Sequence, residues 1–426
     1  GHPGFMNRIA PRFLMLLAAL WGVPWAPGVI ATETPARELR LLEPPVADGS
    51  LAPRLARIDA TRNALTWLER SESGHRLRFA LWEAGRFGPA RTVAEGSFFA
   101  NWADTPGLTV TRGGAWMAHW LQRSGSGTYA YDVRMAISHD GGETWGPSLA
   151  PHRDGTQTEH GFVSYFVDPE GAGLAWLDGR NTLPAPADRG GDGHHHAEDG
   201  AMTLRTAVLR PDGTLTREAL LDDRVCDCCT TASARTNEGP VVVYRDRSPS
   251  EIRDIGIVRG TSAGWSAPET VHADGWRITG CPVNGPAVIA QDKTVVVAWF
   301  TLGAEEEARV HLAWSRDGGR NFDAPMTFDR GGALGRVDLS WRGPGPRPEV
   351  FLSWMARDGD GAQLRLARLD HEGTLIENRN VVRLPGSRGN GFPRLLALDD
   401  GDVLFTWTEG TANGPRVRVG HLAMDP

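Results

Sequence analysis

The chain has 426 residues, enough for a large core, and its 52 glycines and 29 prolines are more typical of many short strands joined by turns than of a helical protein. A hydrophobic content of 40% with 16 tryptophans argues against a disordered chain. The net charge of −7 argues against a nucleic-acid partner, and four cysteines are too few for a disulfide-dense scaffold.

The first predicted element is a targeting segment. Two arginines precede the apolar run 13–23, which has the length of a signal-peptide core and is too short to span a bilayer. Small residues before position 32 predict cleavage after Ala31. We therefore expect residues 1–31 to be an upstream extension and signal peptide, and residues 32–426 to form one domain. The mature protein is expected to be periplasmic or secreted, with no stable membrane insertion.

An apolar strand that ends in an aromatic residue then recurs seven times, at nearly regular intervals apart from one longer gap between the third and fourth copies. The aromatic positions are Trp67, Trp120, Trp176, Tyr244, Trp299, Trp354 and Trp407. Each copy contains one predicted strand before the aromatic strand and two after it. Four short strands per unit, each unit burying its faces only against its neighbours, are typical of β-propeller blades.

The repeats predict an all-β fold, a seven-bladed β-propeller of four-stranded antiparallel blades. Six blades plus one irregular unit is the alternative. The last copy ends after its third strand, at Leu422. The N-terminal segment 38–46 has the pattern of the missing fourth strand, so we expect it to close the ring beside the last blade.

Two turns carry a recognisable motif. Residues 138–145, Ser-His-Asp-Gly-Gly-Glu-Thr-Trp, match the Asp-box pattern at every fixed position, and residues 315–322 are a looser copy. The aspartate of such a turn accepts backbone N–H groups, and its glycine supplies a positive φ. The repeats and these boxes resemble the BNR-repeat, sialidase-like superfamily of β-propellers.

That resemblance implies an arginine triad for a substrate carboxylate, a Tyr–Glu nucleophile pair and an aspartate acid/base. Arg54 is the nearest candidate for the first arginine. The resemblance therefore predicts an exported protein that recognises an anionic glycan or a similar small molecule at the channel mouth. It leaves open whether the protein hydrolyses that ligand as a glycoside hydrolase.

Blade topology predicts which residues reach the mouth. The loops between second and third strands share one face with the connections between blades, whereas the Asp boxes lie on the opposite face. The residues expected to bind the ligand are Arg54, Trp102, His160, Arg180, Arg245, Arg247, Asn284 and Arg394. The carboxylates expected to supply an acid or base are Asp104, Glu159, Asp178 and Asp246.

The cysteines lie on the same face. Cys226 precedes Tyr244 by the same distance along the chain by which Cys281 precedes Trp299, so the two should meet between adjacent blades. One interpretation is a disulfide that joins the blades. The alternative function is a periplasmic copper or zinc protein, or a redox protein, in which thiolate and imidazole ligands come from Cys226, Cys228, Cys229, Cys281, His194, His195 and His196. No cofactor is assigned with certainty, and a protein-binding scaffold is a third hypothesis.

Overall fold

The computed structural model describes residues 37–183, 200–343, 345–386 and 388–425. The described residues form seven antiparallel sheets, which confirms the predicted seven-bladed all-β propeller. No helix among them is long and apolar enough to cross a membrane.

The first four blades follow the order of the chain. Blade 1 contains β2 Leu51–Arg57, β3 Asn63–Ser71, β4 Gly74–Glu83, β5 Arg86–Phe87 and β6 Arg91–Gly96. Blade 2 contains β7 Gly107–Val110, β8 Trp116–Arg123 and β9 Tyr131–Ser138. Blade 3 contains β10 His160–Asp168, β11 Gly171–Asp178, β12 Thr203–Leu209 and β13 Leu215–Asp222. Blade 4 contains β14 Ala232–Arg235, β15 Pro240–Arg245, β16 Ile255–Thr261, β17 Gly264–Trp265 and β18 Glu269–Thr270.

The last three blades complete the ring. Blade 5 contains β19 Ala287–Gln291, β20 Thr294–Thr301, β21 Arg309–Ser315 and β22 Met326–Phe328. Blade 6 contains β23 Ala333–Arg342, β24 Glu349–Asp358, β25 Gly361–Leu369 and β26 Leu375–Pro385. A 3₁₀ turn, Arg388–Asn390, leads to blade 7, which contains β27 Arg394–Ala397, β28 Val403–Thr411, β29 Gly414–Leu422 and the N-terminal β1 Arg40–Leu42.

Blade 7 combines strands from both ends of the described chain. β1 pairs antiparallel with β29, with Arg40 opposite His421 and Leu42 opposite Val419. This pairing supplies the fourth strand that the last repeat lacks. The segment to which the sequence pattern assigned ring closure contains β1.

Blade 2 differs from the four-stranded expectation, because its sheet has three strands. Where the outer strand would lie, Leu149 forms an isolated bridge to Met135. Pro147 and Pro151 flank this bridge. Since proline lacks the N–H that a ladder requires, the pairing does not extend in either direction.

Hydrogen bonds hold several of the aromatic side chains that mark the repeats. Trp299 is fully buried, and its indole N–H donates to Asp274 Oδ2 at 2.6 Å. Trp354 donates in the same way to Asp329, which precedes it by the same distance along the chain. The indole N–H of Trp407 is buried with no hydrogen-bond partner among the described residues. The repeat therefore preserves the aromatic side chain, and only some blades add a carboxylate that accepts its hydrogen bond.

The Asp-box turn after β9 is formed as the motif predicts. Ser138 Oγ accepts the N–H of Gly142 at 2.9 Å, and Asp140 Oδ1 accepts the N–H of Thr144 at 2.9 Å. Gly142 has φ 84°, and a Cβ there would lie 2.7 Å from the ring of Phe79 in blade 1. The second box, after β21, repeats these bonds between Ser315 and the N–H of the corresponding glycine. Both turns are structural.

We expect Trp299→Phe to lower the free energy of unfolding by about 1.5–3 kcal/mol more than Trp407→Phe. Both substitutions remove the same ring area, but only the first removes a hydrogen bond to a buried carboxylate. Urea unfolding of the two variants measures the difference. Equal losses would show that the Asp274 contact adds nothing to the stability of blade 5.

Candidate functional site

The innermost strands of all seven blades surround a channel. A cavity of about 340 Å³ within it is lined by residues of β2, β7, β10, β14, β19, β23 and β27. Arg54 from blade 1 and Arg394 from blade 7 enter this cavity together with Asp338 from blade 6. The ring thus brings residues that are far apart in sequence to a common axis.

The channel arginines have few partners. Arg394 Nε and Nη2 are buried and have no hydrogen-bond partner among the described residues, while Arg54 Nη1 donates to the carbonyl of Val163 at 3.3 Å. Burial and the neighbouring Arg394 lower the pKa of Arg54 to about 10, so Arg54 stays charged at neutral pH. Asp338 accepts two backbone N–H groups, and burial raises its pKa.

A second cavity, also of about 340 Å³, lies among the connections between blades and the turn between β24 and β25. We call it the mouth cavity. The residues that line it include Trp102, Cys281, Asn284, Arg336, Arg357 and Arg388. Trp102 stacks on Phe392 with ring centroids 5.7 Å apart, and the guanidinium of Arg336 lies 5.0 Å from the Trp102 ring.

The mouth cavity carries a surplus of positive charge. None of Arg336, Arg357 and Arg388 forms an ion pair with a carboxylate of the described residues, although Arg336 donates one hydrogen bond to the carbonyl of Gly391. Asp360, the acidic residue in the lining, is paired with Arg383 at 2.7 Å. Burial and the neighbouring Arg388 lower the pKa of Arg336 to about 10, which leaves it charged at neutral pH.

Two of the predicted acid/base residues meet at a tyrosine that the sequence did not single out. The hydroxyl of Tyr131 lies 3.1 Å from Asp104 Oδ2 and 2.7 Å from Glu159 Oε1. The second oxygen of Asp104 accepts the N–H of Phe162 at 2.8 Å. Tyr131 is fully buried and stacks on Phe99, whereas Glu159 is half-buried. We call Asp104, Tyr131 and Glu159 the acid cluster.

Burial dominates the chemistry of the acid cluster. It raises the pKa of Asp104 to about 7 and, together with nearby Asp104 and Asp227, that of Glu159 to about 8. The Tyr131 pKa is raised well above its usual value by burial and by the two carboxylates. The Tyr131 hydroxyl has one proton and can donate it to only one of the two carboxyl groups. In the other contact a protonated carboxyl group donates to the hydroxyl oxygen, which the raised pKa values allow at neutral pH. Glu159 is therefore a partly exposed carboxyl group that keeps its proton at neutral pH.

The other two predicted acids are engaged elsewhere. Asp178 is fully buried and accepts two hydrogen bonds from the guanidinium of Arg180, at 2.8 and 2.7 Å, and one from Trp176. Asp246 accepts the backbone N–H of Arg247, and burial raises its pKa to about 6. No hydrogen bond between described residues joins either one to the acid cluster.

Several predicted ligand-binding residues have structural partners instead. Arg180 is paired with Asp178, and Arg247 is paired with Glu251 at 2.9 Å. Arg245 is buried and donates to three backbone carbonyls, those of Arg253, Asn284 and Phe300. Because these guanidinium groups are already satisfied, the expectation that they hold the ligand is not supported by the geometry.

His160 and Asn284 also have hydrogen-bond partners within the protein. His160 is fully buried and stacked on His152, with a ring nitrogen 3.2 Å from Asp154. Asn284 is buried: its amide donates to the carbonyl of Leu334, and its oxygen accepts the N–H of Arg336. Asn284 therefore holds the backbone of Arg336 in place. Among the predicted binding residues, Arg54 and Arg394 line the channel cavity, and Trp102 and Asn284 line the mouth cavity.

The cysteines form the predicted disulfide between neighbouring blades, which joins Cys228 to Cys281 with a Cα–Cα distance of 5.9 Å. Cys226 and Cys229 are buried free thiols. This pairing leaves two of the four proposed cysteine ligands available to a metal. His194, His195 and His196 lie outside the described residues, so the copper or zinc site stays a prediction.

Arg336, Arg357 and Arg388 were missed from the sequence, although a signal existed for one of them. Arg336 precedes Trp354 by the same offset that places Trp102, Cys226 and Cys281 before the aromatic residues of their own repeats. Extending that offset to blade 6 would have found it. Arg357 lies near the end of β24 and Arg388 lies in a connection, where that offset does not apply.

The comparisons with known proteins concern the fold. No protein-family model matches the chain, and no curated protein matches it in sequence. Among solved structures, the chain is similar to a Hadza microbial sialidase, Hz136, with 14% identity, a TM-score of 0.49, and 83% of this chain and 74% of that chain covered. It is similar to the phage phi92 endosialidase with 9% identity, a TM-score of 0.49, and 92% and 69% covered. For a Trypanosoma rangeli sialidase in complex with the inhibitor DANA, the identity is 13%, the TM-score is 0.45, and 78% and 56% are covered.

The acid cluster predicts a pH-dependent stability. Asp104 and Glu159 keep their protons in the folded state up to about pH 7 and 8, but lose them near pH 4 when unfolded. The folded state therefore binds more protons between these limits, and the free energy of unfolding falls as the pH rises through this window. The fall is at most about 1.4 kcal/mol per pH unit for each group.

We expect Glu159→Gln to make this fall less steep between pH 5 and pH 7. Urea unfolding at a series of pH values and constant ionic strength measures the slope. Glu72→Gln, at an exposed position, is the matched control and should keep the wild-type slope. A Glu159→Gln variant with the wild-type slope would contradict the protonated state assigned to Glu159.

Proposed function

We propose that the protein binds an anionic glycan in the mouth cavity. The observation that carries this proposal is the convergence of Arg336, Arg357 and Arg388, none of them paired with a carboxylate of the described chain, on one polar cavity beside Trp102. Clustered cations without counter-charges repel one another, and a bound anion relieves that repulsion. Guanidinium groups match a carboxylate or sulfate through two parallel hydrogen bonds.

The size and walls of the cavity support a sugar acid rather than an apolar ligand. Its volume of about 340 Å³ is near the lower end for small-molecule sites and suits a single carboxylated sugar unit. Gly359, Gly361 and Gly386 contribute peptide groups to the wall, which can exchange hydrogen bonds with hydroxyls. The partly unsatisfied Arg394 in the channel offers a further anion contact along the axis.

We also propose that the protein acts outside the cytoplasm. The Cys228–Cys281 disulfide supports this, because such bonds persist in oxidising compartments and are rare in the cytosol. The N-terminal pattern of residues 1–31 supports the same proposal.

Arg357→Ala and Arg388→Ala should each weaken binding of a carboxylated oligosaccharide about tenfold or more, since each removes a charge-assisted hydrogen bond. A panel of sialylated, uronate-containing, sulfated and neutral oligosaccharides, measured by calorimetry, tests this prediction. Arg112→Ala, in an exposed turn of blade 2 between β7 and β8, is the control and should bind as the wild type does. Equal binding of neutral and acidic sugars, or no binding across the panel, would refute the proposal.

Hydrolysis of the bound glycan is the second candidate, and the acid cluster favours it. Glu159, with a pKa of about 8 and partial exposure, is protonated at neutral pH and suited to donate a proton to a leaving group. Asp104 and Tyr131 hold its carboxyl group in place through the shared hydroxyl. Hydrolysis would then require the scissile bond to reach Glu159 from the mouth.

For this candidate we expect turnover of aryl glycosides of acidic sugars to decline above about pH 8, where Glu159 loses its proton. Glu159→Gln should abolish turnover while leaving sugar affinity nearly unchanged. Steady-state rates across the pH range measure both effects. If the wild type binds acidic sugars without turning them over, the hydrolysis candidate is wrong and the protein is a lectin-like binder.

A further inference from the structure

Four sulfur atoms meet at the mouth, in two oxidation states. Cys226, Cys228 and Cys229 lie in the connection before β14, and Cys281 lies in the connection before β19. The Cys228–Cys281 bond joins the two connections. Beside it, the free thiols of Cys226 and Cys229 lie with their Sγ atoms 3.5 Å apart, and Cys226 Sγ is 3.8 Å from Cys228 Sγ. A dithiol is therefore packed against a disulfide.

The surroundings activate Cys226 as a nucleophile. Arg253 Nη1 donates to Cys226 Sγ at 3.2 Å, and Cys229 Sγ lies within hydrogen-bond distance of the same sulfur, at 3.5 Å. Hydrogen bonding to Cys229 and the charges of Arg253 and Arg245 lower the pKa of Cys226, while burial raises that of Cys229 well above its usual value. Asp227 Oδ1 lies 3.9 Å from the same Arg253 Nη1 and 3.8 Å from Cys281 Sγ. These opposite shifts favour a thiolate on Cys226 and a thiol on Cys229.

We propose that these four cysteines form a thiol–disulfide exchange relay that transfers a disulfide from the surface pair, Cys228 and Cys281, to the buried pair, Cys226 and Cys229. In the first step the Cys226 thiolate attacks Cys228 Sγ. The Cys226–Cys228 bond forms, the Cys228–Cys281 bond breaks, and Cys281 leaves as a thiolate.

In the second step Cys229 gives up its proton to the released thiolate or to water and attacks Cys226 Sγ. The Cys226–Cys229 bond forms and Cys228 leaves as a thiolate. One disulfide has been consumed and one formed, so the transfer requires no external oxidant. The product bond closes a Cys-x-x-Cys loop, and the buried dithiol has become a surface dithiol.

One member of the surface dithiol, Cys281, faces the mouth cavity. Cys281 is exposed and lines that cavity together with Arg336, Arg357 and Arg388. These charges attract a small disulfide that carries carboxylates, which is the class of oxidant we assign to the site. Cys281 would attack this disulfide and release one thiolate, and Cys228 would then displace the second, restoring the Cys228–Cys281 bond. In total the buried dithiol loses two electrons and the external disulfide becomes two thiols.

Oxidised glutathione is the probe for the experiment, applied to the purified full chain. We expect two equivalents of reduced glutathione per chain, and mass-spectrometric mapping should then find both Cys226–Cys229 and Cys228–Cys281 bonds. No released thiol, with Cys226 and Cys229 still reduced, would overturn the relay. So would a bound copper ion that holds both thiols of the purified chain and blocks the exchange.

Variants separate the steps. Cys226→Ser should release no thiol, whereas Cys229→Ser should release one equivalent and keep glutathione bonded to Cys281, because the second step is blocked. Wild-type release from Cys226→Ser would overturn the proposal. Arg253→Gln should shift the midpoint of the thiolate ultraviolet absorbance to higher pH and slow the exchange. Arg224→Gln is the matched control, since Arg224 pairs with Glu251, as Arg253 does, but does not contact Cys226.

The relay goes beyond the proposed glycan binding and can fail independently of it. The exchange assay contains no sugar, and its first measurement is the number of glutathione thiols released per wild-type chain. The glycan assay measures binding to a chain whose disulfide is intact. A protein that binds acidic sugars but leaves Cys226 and Cys229 reduced would keep the first proposal and remove the second.

Discussion

The burial of the blade faces and the shape of the central cavity both depend on closure of the propeller ring. A four-stranded blade has two apolar faces, and each face can be buried only against the next blade, so an open arc would expose one face at each end. The pairing of β1 with β29 prevents this, because it completes blade 7 with a strand from the other end of the described chain. Closure also defines the functional geometry, since Arg54 in blade 1 and Arg394 in blade 7 share a cavity only when the first and last blades are neighbours.

The arginines fall into two groups, those with partners in the protein and those without a carboxylate partner among the described residues, and the proposed site rests on this difference. The chain contains a single lysine, Lys293, so nearly all of its positive charge is carried by guanidinium groups. Arg245 shows the structural use: its rigid fork satisfies three backbone carbonyls where blades 4 and 5 meet, and its charge lies over the ring of Trp276. Arg357 and Arg388 form no ion pair with a carboxylate of the described residues, and both line the mouth cavity.

The sequence predicted the blades well because the repeat encodes them locally. The aromatic strands, the Asp boxes and the inter-blade disulfide all follow from spacing within one or two repeats. The sequence predicted the site less well, because whether an arginine is free depends on contacts that only the fold reveals. Arg180 and Arg357 both lie near the end of the second strand of a blade, and only the fold shows that a neighbouring aspartate neutralises the first. The same limit applies to Tyr131, whose meeting with Asp104 and Glu159 joins a strand and two connections.

The repeat position that holds Cys226 in blade 4 and Cys281 in blade 5 explains why the mouth is chemically rich. It lies where a connection between blades approaches the innermost strand, so its side chain can leave the blade core without disturbing the packed sheet. In two further repeats the same position carries Trp102 or Arg336, so one position supplies an aromatic ring, two sulfurs and a cation. The buried position that marks each repeat shows no such variety, because packing between blades requires a large aromatic side chain there. The fold therefore separates the constraint of ring stability from the chemistry of the mouth. The proposed sugar binding and the proposed thiol exchange are compatible on one face because neither requires a change in the blades.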